Sequence, residues 1–182
     1  MSKVKPIRKL PSVKFLRECF IYNRRTGELR WKVRPREHFA TKKGWAVWNS
    51  HYPGKIAGAI TNTGHRLLGS GYLAHRLIFK MVTGKEPASI DHADGNPANN
   101  AWRNLRVATK TEQAWNSWLR VDNSSGYRGV NRHRNKWTAR ISIDGRLQYL
   151  GLFSTPEEAS TAYESVARKL HGKFYRRDRC TK

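Results

Sequence analysis

Hydrophobic positions along the chain fall into short runs whose spacing changes several times. In residues 13–22 (VKFLRECFIY), Val13, Phe15, Leu16, Cys19 and Phe20 recur near helical spacing, and Ser12 after Pro11 is placed to cap a short helix. The period then drops to two. Leu29, Trp31 and Val33 alternate with Glu28, Arg30 and Lys32 after a Thr-Gly turn, the pattern of a half-buried strand. Residues 34–55 mix Lys, Arg, His, Trp and Gly with weak periodicity and predict a loop or an irregular β excursion. Their interleaved aromatic and basic residues suit either a solvated loop with some packed Trp or a surface lying along nucleic acid. From residue 56 to 73, Gly58, Gly64, Gly69 and Gly71 cut the chain into short β pieces. Residues 73–82 (LAHRLIFKMV) then turn helical, and Thr83-Gly84 supplies the stop.

A further helix is predicted over residues 110–119, followed by the polar, turn-rich DNSSG at 122–126. This places a domain junction between 1–121 and 122–182. Beyond it come three β-like runs, YRGVNRH, KWTARISI and LQYLGLF. Trp137, Ala139, Ile141 and Ile143 alternate with Thr138, Arg140 and Ser142, so Trp137 belongs with the core face. The last helix has full punctuation: Thr155 as N-cap, Pro156 in the first turn, Glu158 three residues after the cap and Gly172 past the end. Ala159, Ala162, Tyr163, Val166, Ala167 and Leu170 form one face that can cover a sheet. The class is α+β, ending in a three-stranded antiparallel sheet packed on one helix.

Charge changes the picture. Thirty-six Lys and Arg against 13 Asp and Glu give a net charge of +23 and a pI near 10.8, with both halves basic. Such a chain repels itself unless a polyanion offsets the charge, and phosphate backbones do so with release of condensed cations. Charge alone leaves open a generic basic protein of the ribosomal or membrane-surface kind. Two cysteines, Cys19 and Cys180, without a CxxC pair indicate neither a disulfide framework nor a four-ligand zinc site. No run of eighteen apolar residues occurs, and MSKVKPIRKL is not followed by an apolar export segment. A soluble protein of the cytoplasm is expected, the bacterial host's cytoplasm if the gene is phage-borne, without a membrane partner.

Candidate chemistry concentrates in IDHADGNPANNAWRNLRVATKTEQAWN, between a strand-like and a helix-like piece. A carboxylate at Asp91 can hold a hard divalent cation that also bridges to phosphate, and His92 can take a proton from water near neutral pH. Neighbours on a strand point to opposite faces, so the two can serve one reaction only where the strand ends, and the Gly95-Asn96-Pro97 turn supplies such an end. Read alone, an Asp-His pair is more often an ordinary surface or hydrogen-bonded histidine beside a turn.

Taken together, Ile90-Asp-His-x-Asp-Gly-Asn, Asn99-Asn100, Asn104-Leu105-Arg106, and Thr109 followed by Glu112-Gln113 resemble the HNH endonuclease family of the phage and intron-borne homing type. HRLIFKMVTGKEP at 75–87 and YNRRTGELRWK near the start extend the resemblance over most of residues 15–119. It implies a ββα-metal nuclease core with an N-terminal β extension, acting on double-stranded DNA as a homing-type enzyme. One divalent ion is implied, Mg²⁺ with Mn²⁺ as substitute, and no small-molecule cofactor. By the resemblance Asp91 binds the metal, His92 activates the attacking water, and Asn104 holds the His92 ring. The position that usually offers a second metal ligand is Gln113 here, with Asn116 one turn further on as alternate.

Tyr127-Arg-Gly-Val, Lys136-Trp, Tyr149-Leu-Gly-x-Phe and the Glu-Glu-Ala helix resemble the plant ethylene-response-factor DNA-binding domain of the Apetala-two type. In that family a three-stranded sheet lies in the major groove. By matching positions the resemblance nominates Arg128, Thr138, Arg140 and Tyr149 for the DNA face, with Arg132, Arg134 and Arg146 nearby. Asn131 and His133 replace family arginines, so the family's target sequence does not carry over. One nuclease motif per chain argues for a nicking monomer, whereas a dimer would cut both strands. Two other readings stay open at this stage: a sequence-preferring DNA binder that does not cut, and an RNA-binding protein.

Overall fold

In the computed structural model, which describes residues 9–69, 71–117, 119 and 122–176, the chain divides into two units, Met1–Thr109 and Lys110–Lys182. The division falls upstream of the predicted junction at residue 122. The helix beginning at Lys110 sits with the second unit, where Trp115 stacks on His171 with ring centroids 4.3 Å apart. Cys180 and the predicted helix residue Trp118 lie outside the described residues.

The first unit opens with α1 (Val13–Cys19), whose cap Ser12 accepts a hydrogen bond from the Phe15 N–H. The helical spacing predicted to residue 22 stops early, because Phe20–Tyr22 forms a strand, β1, antiparallel to β2 (Leu29–Trp31). The turn between them is closed by Asn23, whose side chain accepts from Arg25 and Thr26 N–H groups. Gly27 follows at φ +81°, and a Cβ there would lie 2.3 Å from the Ala101 nitrogen, so only glycine lets the two segments meet.

Residues 34–55 depart from expectation. They contain a turn of 3-10 helix, Arg36–His38, and the ten-residue helix α2, Lys42–His51, capped by the Thr41 side chain. Lys42, Lys43 and Gly44 conceal the helical spacing of its half-buried Trp45 and Trp48, and the Trp45 Nε1–H donates to the Arg34 carbonyl at 2.9 Å. Trp48 stacks on Tyr52 at 4.0 Å and meets Trp31 edge-on at 4.9 Å. The Arg34 guanidinium lies 4.7 Å from the Phe39 ring centre and 5.0 Å from that of Trp48.

A two-residue pairing of β3 (Ala59–Ile60) with β4 (Arg66–Leu67) leads into α3 (Ala74–Thr83), which ends at Gly84 with φ 75° as predicted. Helix α3 buries Ala74, His75, Leu77, Ile78 and Met81. Leu16, Leu29, Leu77, Ile78 and Cys19 are the largest fully buried side chains, and each of the leucines and the isoleucine stabilises by roughly 1.5–3 kcal/mol. The unit closes with the antiparallel pair β5 (Ile90–His92) and β6 (Leu105–Val107).

The second unit starts with α4 (Lys110–Trp115) and then builds the predicted three-stranded antiparallel sheet, β7 (Val130–His133), β8 (Lys136–Ile143) and β9 (Arg146–Phe153), in that order. Asp144 at φ 49° and Gly145 at φ 78° make the tight turn joining β8 to β9. Helix α5 (Pro156–His171) has the full capping box, with Thr155 and Glu158 bonding reciprocally. Its buried Ala159, Tyr163 and Ala167 pack against Val130, Ala139 and Ile141, and Trp137 joins this core from its edge. Gly129, at φ +69°, lies under the Tyr163 ring, where a Cβ would come within 2.3 Å. The mixed helix and small-sheet architecture is the α+β class expected. No helix among the described residues is long and apolar enough to cross a membrane.

Candidate active site

Strands β5 and β6 place Asp91 opposite Arg106 and His92 opposite Leu105. Side chains alternate along a strand, so Asp91 and His92 leave β5 on opposite sides. Arg106 Nε donates to Asp91 Oδ2 at 2.8 Å, and its Nη2 lies 2.7 Å from the same oxygen. With side chains 17% and 11% exposed, the pair is largely withdrawn from water, and the guanidinium fixes the orientation of the carboxylate.

His92 is buried at 6% exposure. Its Nε2 lies 3.1 Å from Asn100 Oδ1. An amide oxygen only accepts, so this contact is made with the proton on Nε2. The hydrogen bond predicted from Asn104 is thus made by Asn100 instead. Asn104 serves the loop that follows. Its Nδ2 donates to Asp94 Oδ1 at 2.9 Å and to the Asn99 carbonyl at 2.7 Å, while its Oδ1 accepts from the Asp94 N–H at 2.9 Å. Asn100 is itself anchored, since the Tyr22 hydroxyl donates to its carbonyl at 2.8 Å. Burial pushes the Tyr22 hydroxyl up to about 12, against the lowering effect of Arg24, so it remains a donor.

Asp94 gathers the loop. Partial burial would raise its pKa, but the Asn96 N–H at 2.8 Å, the Asn99 amide at 2.7 Å and the Asn104 amide outweigh this and hold the carboxyl below its ordinary range. The run of asparagines between residues 96 and 104 is therefore a hydrogen-bonded framework that ends by aiming Asn100 at His92.

Sequence reasoning missed the neighbours of His92. His75 on α3 and His65, just before β4, come close enough that one ring nitrogen from each of the three histidines lies within 4.8 Å of the others. The ring centroids are 5.1 to 5.9 Å apart. Burial pushes His75 down to about 3, helped by the nearby His92, His65 and Arg76 charges, so the ring is neutral. Burial and His92 also lower His65. Wide sequence separation hides this cluster, and the available signal was His75 among the apolar positions of the amphipathic LAHRLIFKMV segment.

Gln113 is a half-buried residue of α4, and Asn116, just beyond that helix, is buried; both belong to the second unit. In that unit the register separates the nominated DNA-contacting residues into groups. Asn131, His133, Lys136, Arg140, Tyr149 and Leu152 share the sheet face turned away from α5. Arg140 pairs with Tyr149 across β8 and β9, and Tyr149 is 56% exposed. Thr138 is on the same side but buried, its hydroxyl donating to the Asn131 carbonyl at 3.2 Å, which removes it from the accessible surface. Arg132 and Arg146 belong to the opposite face near strand ends, and Arg134 sits in the β7–β8 turn at φ 52°. Arg128 turns to the end of α4, donating to the Ala114 and Ser117 carbonyls.

Comparison with known proteins bears on both units. The profile of a family described as HNH endonuclease matches residues 72–115, the stretch from α3 through β5 and β6 to the end of α4. Protein 3.8 of Escherichia phage T7 is 32% identical over 106 residues, which is 56% of this chain and 87% of that protein. A protein of Acanthamoeba polyphaga mimivirus, named as an uncharacterized HNH endonuclease, is 33% identical over 104 residues, 55% of this chain and 54% of its own length. An AP2-like ethylene-responsive transcription factor of Oryza sativa subsp. japonica is 49% identical over 53 residues, 27% of this chain but only 8% of the factor. No solved structure matches the chain. With the motif, the two-stranded frame around Asp91 and His92 and these relatives in agreement, the chain belongs to the HNH endonuclease family and carries in addition a C-terminal segment similar to AP2-like factors.

Proposed function

We propose that this nuclease is a metal-dependent, site-preferring DNA endonuclease of the homing type, in which His92 is the general base and Asp91 a metal ligand. The observation that carries the reading is the buried His92–Asn100 contact, one residue from the Asp91–Arg106 pair and within the span matched by the HNH profile.

Asn100 keeps the proton on Nε2 of His92, so Nδ1 is the nitrogen that takes a proton from water as the water oxygen attacks phosphorus. The bond to the 3′ oxygen breaks, leaving 5′-phosphate and 3′-hydroxyl ends. The Asp91 carboxylate, oriented from one side by Arg106, is an oxygen donor of the kind that a hard divalent ion such as Mg²⁺ takes, and the motif resemblance nominates Gln113 or Asn116 as the amide-oxygen candidate. When bound, that ion supplies stabilisation of the charge developing on the phosphate. Arg106 keeps the carboxylate aimed, and the asparagine framework around Asp94 holds the His92 ring still.

Double-stranded DNA is the substrate supported by the +23 charge and by the exposed Arg140 and Tyr149 on the outer sheet face. Site preference is assigned to this sheet, from residues 122–182, and hydrolysis to the unit before it; one motif per chain gives nicking by a monomer. A second reading, binding without cleavage, draws on two observations: Arg106 engages Asp91, and Gln113 stands where a shorter ligand is usual. Incubating wild type and Asp91→Asn with supercoiled DNA in Mg²⁺ or EDTA tests the proposal. Mg²⁺-dependent nicks lost in the variant support it, and tight binding without nicks by wild type favours the second reading.

A further inference from the structure

His65 and His75 have no part in the hydrolysis just described, yet they flank the proposed base, His92. His65, His75 and His92 come from a turn, a helix and a strand of the same unit, and each presents a ring nitrogen within 4.8 Å of the other two. Three cationic imidazoles so close would repel, and the burial of His75 makes charge there more costly still. Neutral imidazoles do not repel, and neutral imidazole is also the form that ligates metals.

Nitrogen donors select a different cation from oxygen donors. Imidazole suits zinc, cobalt, nickel and copper, whereas Mg²⁺ takes oxygen ligands and dehydrates reluctantly. Three histidines with an open fourth position are a known arrangement for a four-coordinate zinc-type ion. Zinc–nitrogen bonds of about 2.1 Å in tetrahedral geometry put ligand nitrogens about 3.4 Å apart. The cluster therefore needs to contract only modestly, and half-buried His65, in the turn before β4, is the ring with most room to move.

We propose that His65, His75 and His92 form an inhibitory site for a borderline transition-metal ion of the zinc and cobalt class, distinct from the oxygen-ligated ion at Asp91. An ion there occupies His92 nitrogen and thereby removes the base from the reaction. The inhibition rests on the reading of His92 as the base, whereas the binding does not. The hydrolytic ion and the inhibitory ion differ in ligand type, so excess Mg²⁺ does not displace the latter.

The test begins with full-length protein stripped with chelator and dialysed, titrated with Co²⁺ and followed by its visible ligand-field absorption. The expected result is a low-coordinate band that saturates at one equivalent, is displaced by Zn²⁺ and is lost in His65→Ala. Thermal melting of His65→Ala checks that its fold is kept, and His75→Gln provides a second ligand variant. No band in wild type, or the same band in both variants, overturns the site. In parallel, Zn²⁺ is added to Mg²⁺-supported nicking of supercoiled DNA. Wild type is expected to be inhibited near stoichiometric Zn²⁺, and His65→Ala to need at least about tenfold more. Binding that passes the cobalt test without inhibiting wild type overturns the inhibitory role and, with it, counts against His92 as the base, while leaving the metal site itself established.

Discussion

Asn100 Oδ1 accepts the Nε2 proton of His92 at 3.1 Å, in a contact withdrawn from solvent. The asparagine that orients the histidine is four residues before the one nominated from the motif, and the two have separable jobs. Asn100→Ala is expected to lower the nicking rate by about 10–100-fold at saturating DNA, because the ring loses its fixed tautomer. Asn104→Ala is expected instead to cost about 1–3 kcal/mol of stability by leaving Asp94 and the Asn99 carbonyl short of donors. Single-turnover nicking and urea denaturation of both variants check the division, and the reverse pattern would restore Asn104 to the ring.

The Asp91–Arg106 pair gives a second expectation. Both side chains are mostly enclosed, so Arg106→Ala leaves a carboxylate without its guanidinium and should destabilise the chain by about 3 kcal/mol in chelator. Mg²⁺ should recover part of that loss if Asp91 binds the ion. Denaturation curves with and without Mg²⁺ measure it, and a variant that Mg²⁺ does not stabilise at all would argue against Asp91 as ligand.

Much of this was legible from the chain, and the failures have physical causes. Helices α3 and α5 carry their stop and start signals locally, in Thr83-Gly84 and in Thr155, Pro156 and Glu158, so reading them needed no tertiary information. Helix α2 was missed because Trp45, Trp48 and the following Tyr52 lie among lysines and a glycine, and its packing is aromatic and cationic rather than aliphatic. Phe20 continued the helical spacing of α1 but was taken by pairing with Trp31, a partner that spacing within a window cannot reveal. At the site, Asp91 and His92 were readable as residue types. The exchange of Asn104 for Asn100, and the approach of His65 and His75, depend on loop closure and long-range packing.

The depressed pKa of His75 predicts a pH dependence of stability. The ring titrates near 6.5 when unfolded and at about 3 in the folded protein, so above 6.5 both states hold it neutral and it contributes nothing to the slope. As pH falls from 6.5 toward 3, the unfolded chain takes up a proton that the native state refuses, and stability drops by about 1.4 kcal/mol per pH unit from this group. Comparing wild type with His75→Gln in chelator between pH 7 and 5 isolates the effect, since these two pH values lie about half a unit above and one and a half units below the unfolded titration. The variant should lose less stability on acidification, and parallel losses in both proteins would show that His75 titrates normally.

On the second unit, Arg140 and Arg128 should behave differently although both were nominated for DNA. Arg140 shares the outer sheet face with Tyr149, whereas Arg128 bonds the carbonyls at the end of α4. Arg140→Ala is expected to reduce the salt dependence of DNA binding by about one unit in slope if it meets phosphate, or to cost about 1–3 kcal/mol and relax site preference if it meets a base. Arg128→Ala should lower thermal stability and leave affinity nearly unchanged at temperatures where it is folded. Binding isotherms at several salt concentrations, together with melts, separate the two.

In the proposed function, His92 performs base chemistry beside an ion held by Asp91. The most direct test is single-turnover nicking of supercoiled DNA by wild type and His92→Ala in Mg²⁺, with DNA binding and melting measured on the same preparations. The account predicts Mg²⁺-dependent nicks by wild type, and a rate lower by about 100-fold or more in a variant that still folds and binds DNA. Equal nicking by the two proteins would contradict it.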